Sequence, residues 1–224
     1  MITLEQLKFY TSITTKRETQ AQSLYDALNE HFKFDKIECI ETGASQNLDD
    51  GCFGLYLAKM VEESNGIYHS VDIDENIINK SKTIYGKYIP NLEVNHHVSD
   101  SIKFLENYEG SPNLVHLDSY DLDLKNPIRS MLHCWLEFNA IKDKMQSDSI
   151  ILVDDNFFAG TCVNWNYLDG YGNIVNSEKI NIEYDIIGKG SLVFHWCEKE
   201  NTDWDLIGNH YKVGDNIKLI LKKR

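Results

Sequence analysis

The sequence predicts an α/β fold, a doubly wound and mostly parallel seven-stranded sheet with helices on both faces and a closing antiparallel strand pair. Three observations predict it. Short apolar runs typical of strands alternate with longer helical patterns along most of the 224 residues, an order typical of parallel sheets. The fifth run, Ile150-Ile151-Leu152-Val153, is wholly apolar, as expected of a central parallel strand. The turn Gly214-Asp215-Asn216 separates the last two runs and favours an antiparallel pair.

The first half of the chain supplies three predicted strands and the helices around them. Apolar residues at helical spacing predict one or two leading helices within residues 4–32. Predicted strands follow at residues 36–41, 66–72 and 92–98, and a helix is predicted over residues 52–63. Two further helices are predicted to begin after Asp74 and after Ser99 or Asp100, because short polar side chains accept hydrogen bonds from the first amides of a helix.

The second half of the chain continues the alternation of predicted strands and helices and then changes in amino-acid composition. Strands are predicted at residues 113–118 and 149–154, with a long helix between them that opens at Asn126-Pro127. The predicted apolar stripe of that helix is Ile128, Met131, Leu132, Trp135 and Ile141. Residues 157–186 are rich in Asn, Gly, Tyr and Trp and predict a long loop or a hairpin. A helix over 191–199 and closing strands near 204–213 and 217–222 complete the chain.

Composition and charge argue against several classes of function. The chain carries 35 acidic and 22 basic residues, a net charge of −13, so nucleic acid is disfavoured as a partner. Five cysteines without a CxxC pair predict reduced thiols in a cytoplasmic protein, and a secreted domain with disulfides is the alternative. No apolar run approaches the ~20 residues of a spanning helix and no secretory signal begins the sequence, so we expect no membrane partner. The sequence is also compatible with a homo-oligomer.

Acidic residues follow five successive predicted strands, at the edge of the sheet where doubly wound folds bind ligands. Taken singly, each is more often a cap or a turn residue. Asp72, after the second strand, has the position that contacts ribose hydroxyls in nucleotide-binding folds. Gly43 stands in no GxGxxG motif, which argues against a bound pyrophosphate. A cofactor with ribose and adenine but no phosphates suits these acids, because carboxylates repel phosphates.

The segment from Glu38 to Asn156 resembles class I methyltransferases that use S-adenosyl-L-methionine (SAM). The residues that carry this resemblance are Glu41-Thr42-Gly43, Asp72 and Ser99-Asp100-Ser101, although the usual E-x-G-x-G-x-G spacing is missing. The resemblance implies a Rossmann-like methyltransferase fold, with Asp72 on the ribose and residues 99–101 against adenine. The implied cofactor-binding residues are Glu41, Gly43, Ser45, Asp72, Ile73, Asp100, Ser101 and Asp118. It also implies one domain over residues 1–224: leading helices to 35, a cofactor-binding core over 36–156, a substrate-side region over 157–187, and a closing part from 188.

The segments LDSYDLD (117–123) and ILVDDN (151–156) resemble the metal-carrying motifs of cation-dependent O-methyltransferases, which include catechol and macrolide-sugar enzymes. The resemblance implies metal ligands Asp118, Asp154 and Asp155, with Asn156 as the alternative third ligand. Carboxylate oxygens suit a divalent cation such as Mg²⁺, which eases deprotonation of a bound hydroxyl. The alternative is that residues 154–156 only turn the chain.

No general base follows cleanly from the resemblance. Asp118 and Asp121 are the candidate catalytic residues, with Asp121 the nearest candidate for the base and Lys189 and His133 as alternatives. Glu137 shares a helix face with His133 and would orient its imidazole, unless the two form an ordinary exposed pair.

The sequence therefore predicts a SAM-dependent methyltransferase that acts, with a divalent cation, on a hydroxyl of a small molecule or a sugar. The aromatic residues of 157–171 are expected to shape the pocket for this acceptor. The alternatives are another nucleotide-cofactor or nucleotide-sugar enzyme on the same fold and a non-catalytic domain.

Overall fold

The computed structural model describes residues 26–28, 30–46, 53–168, 174–199, 202–207 and 217–224. Within the predicted leading helices, residues 26–28, 30 and 31 are helical, and the rest of that prediction lies outside the described residues. The predicted turn at residues 214–216 and most of the strand predicted near 204–213 also lie outside them.

Five parallel strands form the centre of the main sheet. They are β1 (Glu38–Thr42), β2 (Ile67–Asp72), β3 (Val94–Val98), β4 (Leu114–Leu117) and β5 (Ile150–Phe158). Their order in space is β3-β2-β1-β4-β5, and each neighbouring pair is parallel. The winding direction reverses between β1 and β4, which is the place where folds of this kind bind ligands.

Among the described residues, five helices of seven or more residues cover the two faces of this sheet, as the sequence predicts. They are α1 (Phe53–Glu63), α2 (Glu75–Tyr88), α3 (Ser101–Asn107), α4 (Ile128–Ile141) and α5 (Ser191–Lys199). Side chains of α1 and α2 belong to one buried apolar cluster, and those of α3, α4 and α5 belong to another. Both predicted caps are confirmed: Asp74 accepts from the amide of Asn76, and Asp100 from that of Lys103.

The predicted apolar stripe of α4 is correct in part: Ile141 is buried and Trp135 packs against the core, but two other members of the stripe face solvent. Ile128 and Leu132 are 61% and 48% exposed, whereas Cys134 and Phe138 pack against the sheet. Two polar side chains on the inward face, Ser130 and Glu137, are buried as well. Apolar spacing could not reveal this, because the orientation of α4 depends on the polar site into which Glu137 is directed.

Antiparallel strands complete the structure. β10 (Ile217–Lys223) lies between β5 and β9 (Trp204–Leu206), and β8 (Ile186–Gly188) is an unpredicted additional strand on β5. A separate hairpin joins β6 (Cys162–Leu168) to β7 (Ile174–Asn181), which confirms the hairpin alternative for this region. Val163, Trp165 and Ile180 of the hairpin pack against a small cluster that contains Leu122 and Leu124. The hairpin thus adjoins the segment after β4.

Two further observations concern the described residues. None of their helices combines the length and the apolar character needed to cross a bilayer. The thiols of Cys39, Cys134, Cys162 and Cys197 are free, and Cys52 lies outside the described residues.

Candidate active site

A cavity of about 580 Å³ opens at the carboxyl ends of the parallel strands. This volume is within the range of small-molecule sites. Every site residue predicted from the sequence lines it: Glu41, Gly43, Ser45, Asp72, Ile73, Asp100, Ser101, Asp118, Asp121, Asp154 and Asp155. The structure therefore brings together side chains that are more than 100 positions apart in the chain.

Asp72 organises the loop after β1 while it faces the cavity. One carboxylate oxygen accepts from the amide of Ala44 at 3.1 Å, and the other from the amide of Asp74 at 2.8 Å. Each oxygen can still accept a second hydrogen bond. Beside it, the side chain of Ile73 is 73% exposed at the cavity wall. A carboxylate next to an exposed apolar side chain matches a ligand that has both hydroxyls and a flat apolar ring.

Gly43 lies where the loops after β1 and β4 meet. Its φ of +79° is in the left-handed region, and a Cβ atom there would lie 2.5 Å from the carbonyl oxygen of Asp118. Both observations require glycine at this position. The close contact joins the two halves of the cavity.

Glu41 is held from three sides by hydroxyl groups. Its carboxylate accepts from Tyr85 at 2.9 Å, from Ser70 at 3.0 Å and from Ser45 at 3.1 Å. Burial raises the pKa of Glu41, and these hydrogen bonds partly oppose that effect. Glu41 therefore fastens the loop after β1 to neighbouring elements in addition to lining the cavity.

A polar network lies under the cavity between α3 and α4. The Ser101 hydroxyl lies 3.1 Å from Nε2 of His133 and 3.4 Å from the Ser119 hydroxyl, which donates to Glu137 at 2.6 Å. Nε2 of His133 also lies 3.7 Å from the Glu137 carboxylate, which is fully buried. His133 and Glu137 are therefore part of the cavity wall and the layer beneath it. The alternative of an exposed helix pair is wrong.

The other half of the cavity is shaped by a β-bulge in β5. The β5–β10 pairing shifts register between Ile217 and Leu219, so that Asp154 and Asp155 together lie opposite Lys218. Asp155 has a φ of 54°, in the left-handed region. A bulge redirects side chains, and here it directs two adjacent carboxylates toward the site.

Two buried lysines contact the carboxylates of Asp118, Asp154 and Asp155. The Lys189 ammonium donates to Asp118 at 2.7 Å and lies 3.0 Å from the Asp155 carboxylate. Burial alone would lower the pKa of Lys189, but the surrounding aspartates raise it well above its usual range. The Lys218 ammonium pairs with Asp154 and lies 3.2 Å from Nε2 of His116. Both lysines are therefore fixed by charge-assisted contacts.

The predicted cation can be tested against this arrangement. Donor atoms of His116, Asp118 and Asp154 lie within 4.8 Å of one another, a spacing compatible with a metal ion. However, Lys189 or Lys218 already contacts each of these residues. A divalent cation would add two positive charges beside two ammonium groups, which is strongly unfavourable in a buried site. The residues present do not fit a divalent cation.

Asn156, the alternative third ligand, is directed away from such a role. Its amide nitrogen donates to the carbonyls of Val153 and Asp154, and its amide oxygen accepts from Gly190 at 2.8 Å. The side chain is fully buried. Asn156 therefore holds the bulge and the turn that carries Lys189.

Several residues of the site were not predicted from the sequence or were named only as alternatives. His116, Ser119, Tyr120 and Lys189 line the cavity, and Lys218 lies behind it. Lys218 offered the clearest signal, because it interrupts the apolar run from Ile217 to Leu221, and a lysine buried in such a run needs a partner. Tyr120 has a φ of 61°, which is rare for a bulky residue and concentrates at functional sites.

No family model and no curated protein matches the chain. Several solved structures are similar to the chain in fold. A SAM-dependent methyltransferase from Clostridium acetobutylicum is 10% identical, with a TM-score of 0.57 over 98% of both chains. A protein from Streptococcus mutans described as a methyltransferase, in complex with SAH, is 11% identical, with a TM-score of 0.54 over 94% of this chain and 99% of that one. An rRNA methylase from Streptococcus thermophilus is 9% identical, with a TM-score of 0.52 over 89% and 93%.

At these identities the similarity concerns the fold. The chain has the Rossmann-like fold of class I SAM-dependent methyltransferases, as the sequence predicts.

Proposed function

We propose that the protein is a SAM-dependent methyltransferase that acts on a hydroxyl of a small molecule. The observation that carries this proposal is the position and chemistry of the cavity. It opens where the strand order reverses, and Asp72 and Ile73 lie side by side in its wall. In this fold that is the place for a nucleoside-containing ligand.

The half of the cavity at β1, β2 and β3 suits the cofactor. In this proposal the Asp72 carboxylate accepts hydrogen bonds from the ribose hydroxyls, and Ile73 covers one face of the adenine ring. Asp100 and Ser101 lie at the adjoining wall and would contact the adenine edge. The loop at Gly43, which carries no side chain, allows close approach of the methionine part.

The charge of the cavity supports a cofactor without phosphates. Seven of its lining residues are acidic and one is a lysine: Glu41, Asp72, Asp100, Asp118, Asp121, Asp154, Asp155 and Lys189. Because Lys189 is already paired with two of these acids, the surrounding field is negative. Such a field attracts the sulfonium of SAM and repels the pyrophosphate of a dinucleotide.

The segment after β4 and the adjoining hairpin would form the acceptor side. The acceptor hydroxyl attacks the sulfonium methyl, S-adenosylhomocysteine (SAH) leaves, and a nearby base takes the hydroxyl proton. We assign this base to Asp121, an exposed carboxylate in the cavity wall without a hydrogen-bond or ion-pair partner among the residues described. Lys189 does not serve, since its raised pKa keeps it protonated.

A thermal-shift titration tests the cofactor class. A ligand that binds only the folded state raises the melting temperature. We expect SAH to stabilise the protein with a saturable dependence on its concentration, and NAD and ATP to leave the melting temperature unchanged. Stabilisation by NAD or ATP and not by SAH would favour the nucleotide-cofactor alternative.

The acceptor class needs a separate measurement, because some structural neighbours are described as rRNA methylases. Transfer of tritiated methyl from SAM can be followed into a panel of catechols and sugars and, in parallel, into ribosomal RNA. The net charge of −13 disfavours a polyanionic acceptor. We therefore expect label in a small molecule. Label in RNA alone would contradict the acceptor part of the proposal and leave the cofactor part intact.

A further inference from the structure

The carboxylates at the ends of β4 and β5 pose a problem of charge. Asp118, Asp154 and Asp155 lie at one corner of the cavity, and Asp154 is only 5% exposed. Buried like charges repel one another and lose hydration, so a stable arrangement needs compensating positive charge nearby. Either a bound cation or basic side chains can supply it.

The chain supplies that charge itself. We propose that Lys189 and Lys218 take the place of a divalent cation, so that this carboxylate cluster is neutralised by ammonium groups and binds no metal. The inference deepens the proposed function, because it concerns the acceptor side of the same cavity. It also rests on contacts that need neither cofactor nor acceptor.

The first support is that the two ammonium groups contact the same three residues that a metal would use. The candidate donor set is His116, Asp118 and Asp154. Lys218 contacts the ring nitrogen Nε2 of His116 and the carboxylate of Asp154, and Lys189 contacts the carboxylate of Asp118. A metal ion could use all three residues only after both lysines had left them, but loss of Lys218 alone already frees Asp154 and His116.

The second support is that the backbone aims both lysines at the cluster. The amide of Lys189 donates to the carbonyl of Asp155 at 3.1 Å, and the adjoining Gly190 amide is held by the side chain of Asn156. Gly188 has a φ of +150°, and a Cβ atom there would lie 2.1 Å from the Asp155 carbonyl oxygen. Lys189 thus follows a turn that only glycine allows.

Lys218 is fixed from the opposite side. It lies at the register shift between β5 and β10, opposite the bulged residues. Its ammonium also lies 4.5 Å from the ring centre of Phe53, a cation–π contact. Only 6% of its side chain is exposed, so the charge is sequestered from solvent. These contacts hold both lysines against the carboxylates.

Cation binding tests the inference without any assay of methyl transfer. The wild-type protein and Lys218→Met are melted in EDTA and in rising MnCl₂ or MgCl₂ at constant ionic strength. We expect no change for the wild type. For Lys218→Met, which releases Asp154 and His116, we expect a saturable rise in melting temperature of about 2 °C or more with MnCl₂.

Two controls separate a specific site from general charge effects. The double variant Lys218→Met/Asp154→Asn lacks both partners and should lose the response to Mn²⁺. Lys222 lies on the same strand as Lys218 and pairs with the exposed Asp148. Lys222→Met should therefore show no response to Mn²⁺. If Lys218→Met does not fold, Lys189→Met takes its place, with Asp118 as the released ligand.

Two results would overturn the inference. One is stoichiometric Mn²⁺ binding by the wild type, measured by equilibrium dialysis and abolished by Asp154→Asn. The other is a lysine variant that folds and gains no affinity for Mn²⁺. Failure of SAH to bind would contradict the proposed function and leave this inference standing, so the two proposals can fail separately.

Discussion

The two halves of the cavity stabilise their buried titratable groups in different ways. At the ends of β1 and β2, Glu41 accepts hydrogen bonds from the hydroxyls of Ser45, Ser70 and Tyr85. At the ends of β4 and β5, the aspartates pair with the ammonium groups of Lys189 and Lys218. One half holds its buried group with neutral donors, and the other neutralises its charges with opposite charges.

This difference determines how each half responds to change. A neutral hydrogen bond contributes about 0.5–1.5 kcal/mol, so the loss of one hydroxyl is tolerable. A buried ion pair depends on both partners, because removal of one leaves an uncompensated charge. The half at β4 and β5 should therefore be the more sensitive to single substitutions, and the half at β1 and β2 the more tolerant.

The largest expected effect is that of Lys218→Met on stability. It leaves the buried Asp154 carboxylate without its ammonium partner, so the free energy of unfolding should fall by about 3–5 kcal/mol. Urea denaturation followed by circular dichroism measures this. Lys222→Met is the matched control, since Asp148, its partner, is 53% exposed, and the change there should stay below about 1 kcal/mol. Equal effects of the two substitutions would contradict the comparison.

The next largest effect is expected at Gly43, where the two halves touch. Gly43→Ala introduces a Cβ atom 2.5 Å from the Asp118 carbonyl at a φ of +79°. We expect a loss of about 2–3 kcal/mol in the free energy of unfolding. Gly160→Ala is the control, because its φ of +84° is similar but nothing lies within 4 Å of its Cβ position. Its loss should be about 1 kcal/mol, and the difference between the two measures the contact.

A smaller effect is expected of Tyr85→Phe in the hydroxyl-stabilised half. It removes one of the three hydroxyl donors to Glu41 and leaves the other two. The free energy of unfolding should fall by about 0.5–1.5 kcal/mol, clearly less than for Lys218→Met. A loss as large as that of Lys218→Met would show that both halves depend equally on single contacts.

The smallest effect concerns pH and a histidine behind the cofactor half. Burial, and to a lesser degree His97, lowers the pKa of His69 to about 4. The unfolded chain, with an ordinary pKa of about 6.5, therefore binds this proton at a higher pH than the folded protein. The stability contribution of His69 is complete above about pH 6.5 and declines as the pH falls toward 4.

His69→Phe tests this expectation. Because the side chain is only half-buried, we expect it to account for about 1 kcal/mol of the decline. Urea midpoints of wild type and variant are compared at pH 7, 5.5 and 4.5, and the variant should lose less stability across that range. Parallel curves for the two proteins would contradict the assignment.

The two halves of the cavity also differ in how well the sequence predicted them. On the cofactor side, Asp72 and Asp100 each accept from an amide close in the chain, that of Asp74 and that of Lys103, although Asp72 also accepts from the more distant amide of Ala44. Strand ends and caps of this kind follow local patterns, so the parallel strands, the caps and the lining acids were predictable. The partners of Asp118 and Asp154 lie 71 and 64 positions away, so that no local pattern points to them.

Long-range contacts also bear on two further expectations. A divalent cation was expected because the carboxylates at the strand ends are visible in the sequence, whereas no local pattern connects them to Lys189 and Lys218. Part of the face of α4 was misassigned because Glu137 faces inward toward Ser119, a contact between two segments that are not related by helical spacing. Long-range polar contacts determined both features.

The most direct test of the proposed function is the affinity for SAH of the wild type and of Asp72→Ala, measured by calorimetry. Loss of charge-assisted hydrogen bonds worth about 1.5–3 kcal/mol should weaken binding roughly 10- to 100-fold. Asp123→Ala is the control, because Asp123 also accepts a local amide hydrogen bond, from Lys125, but does not line the cavity. We predict wild-type affinity for Asp123→Ala and strongly reduced affinity for Asp72→Ala. Equal SAH affinity of Asp72→Ala and wild type, or no SAH binding by the wild type, would contradict the account.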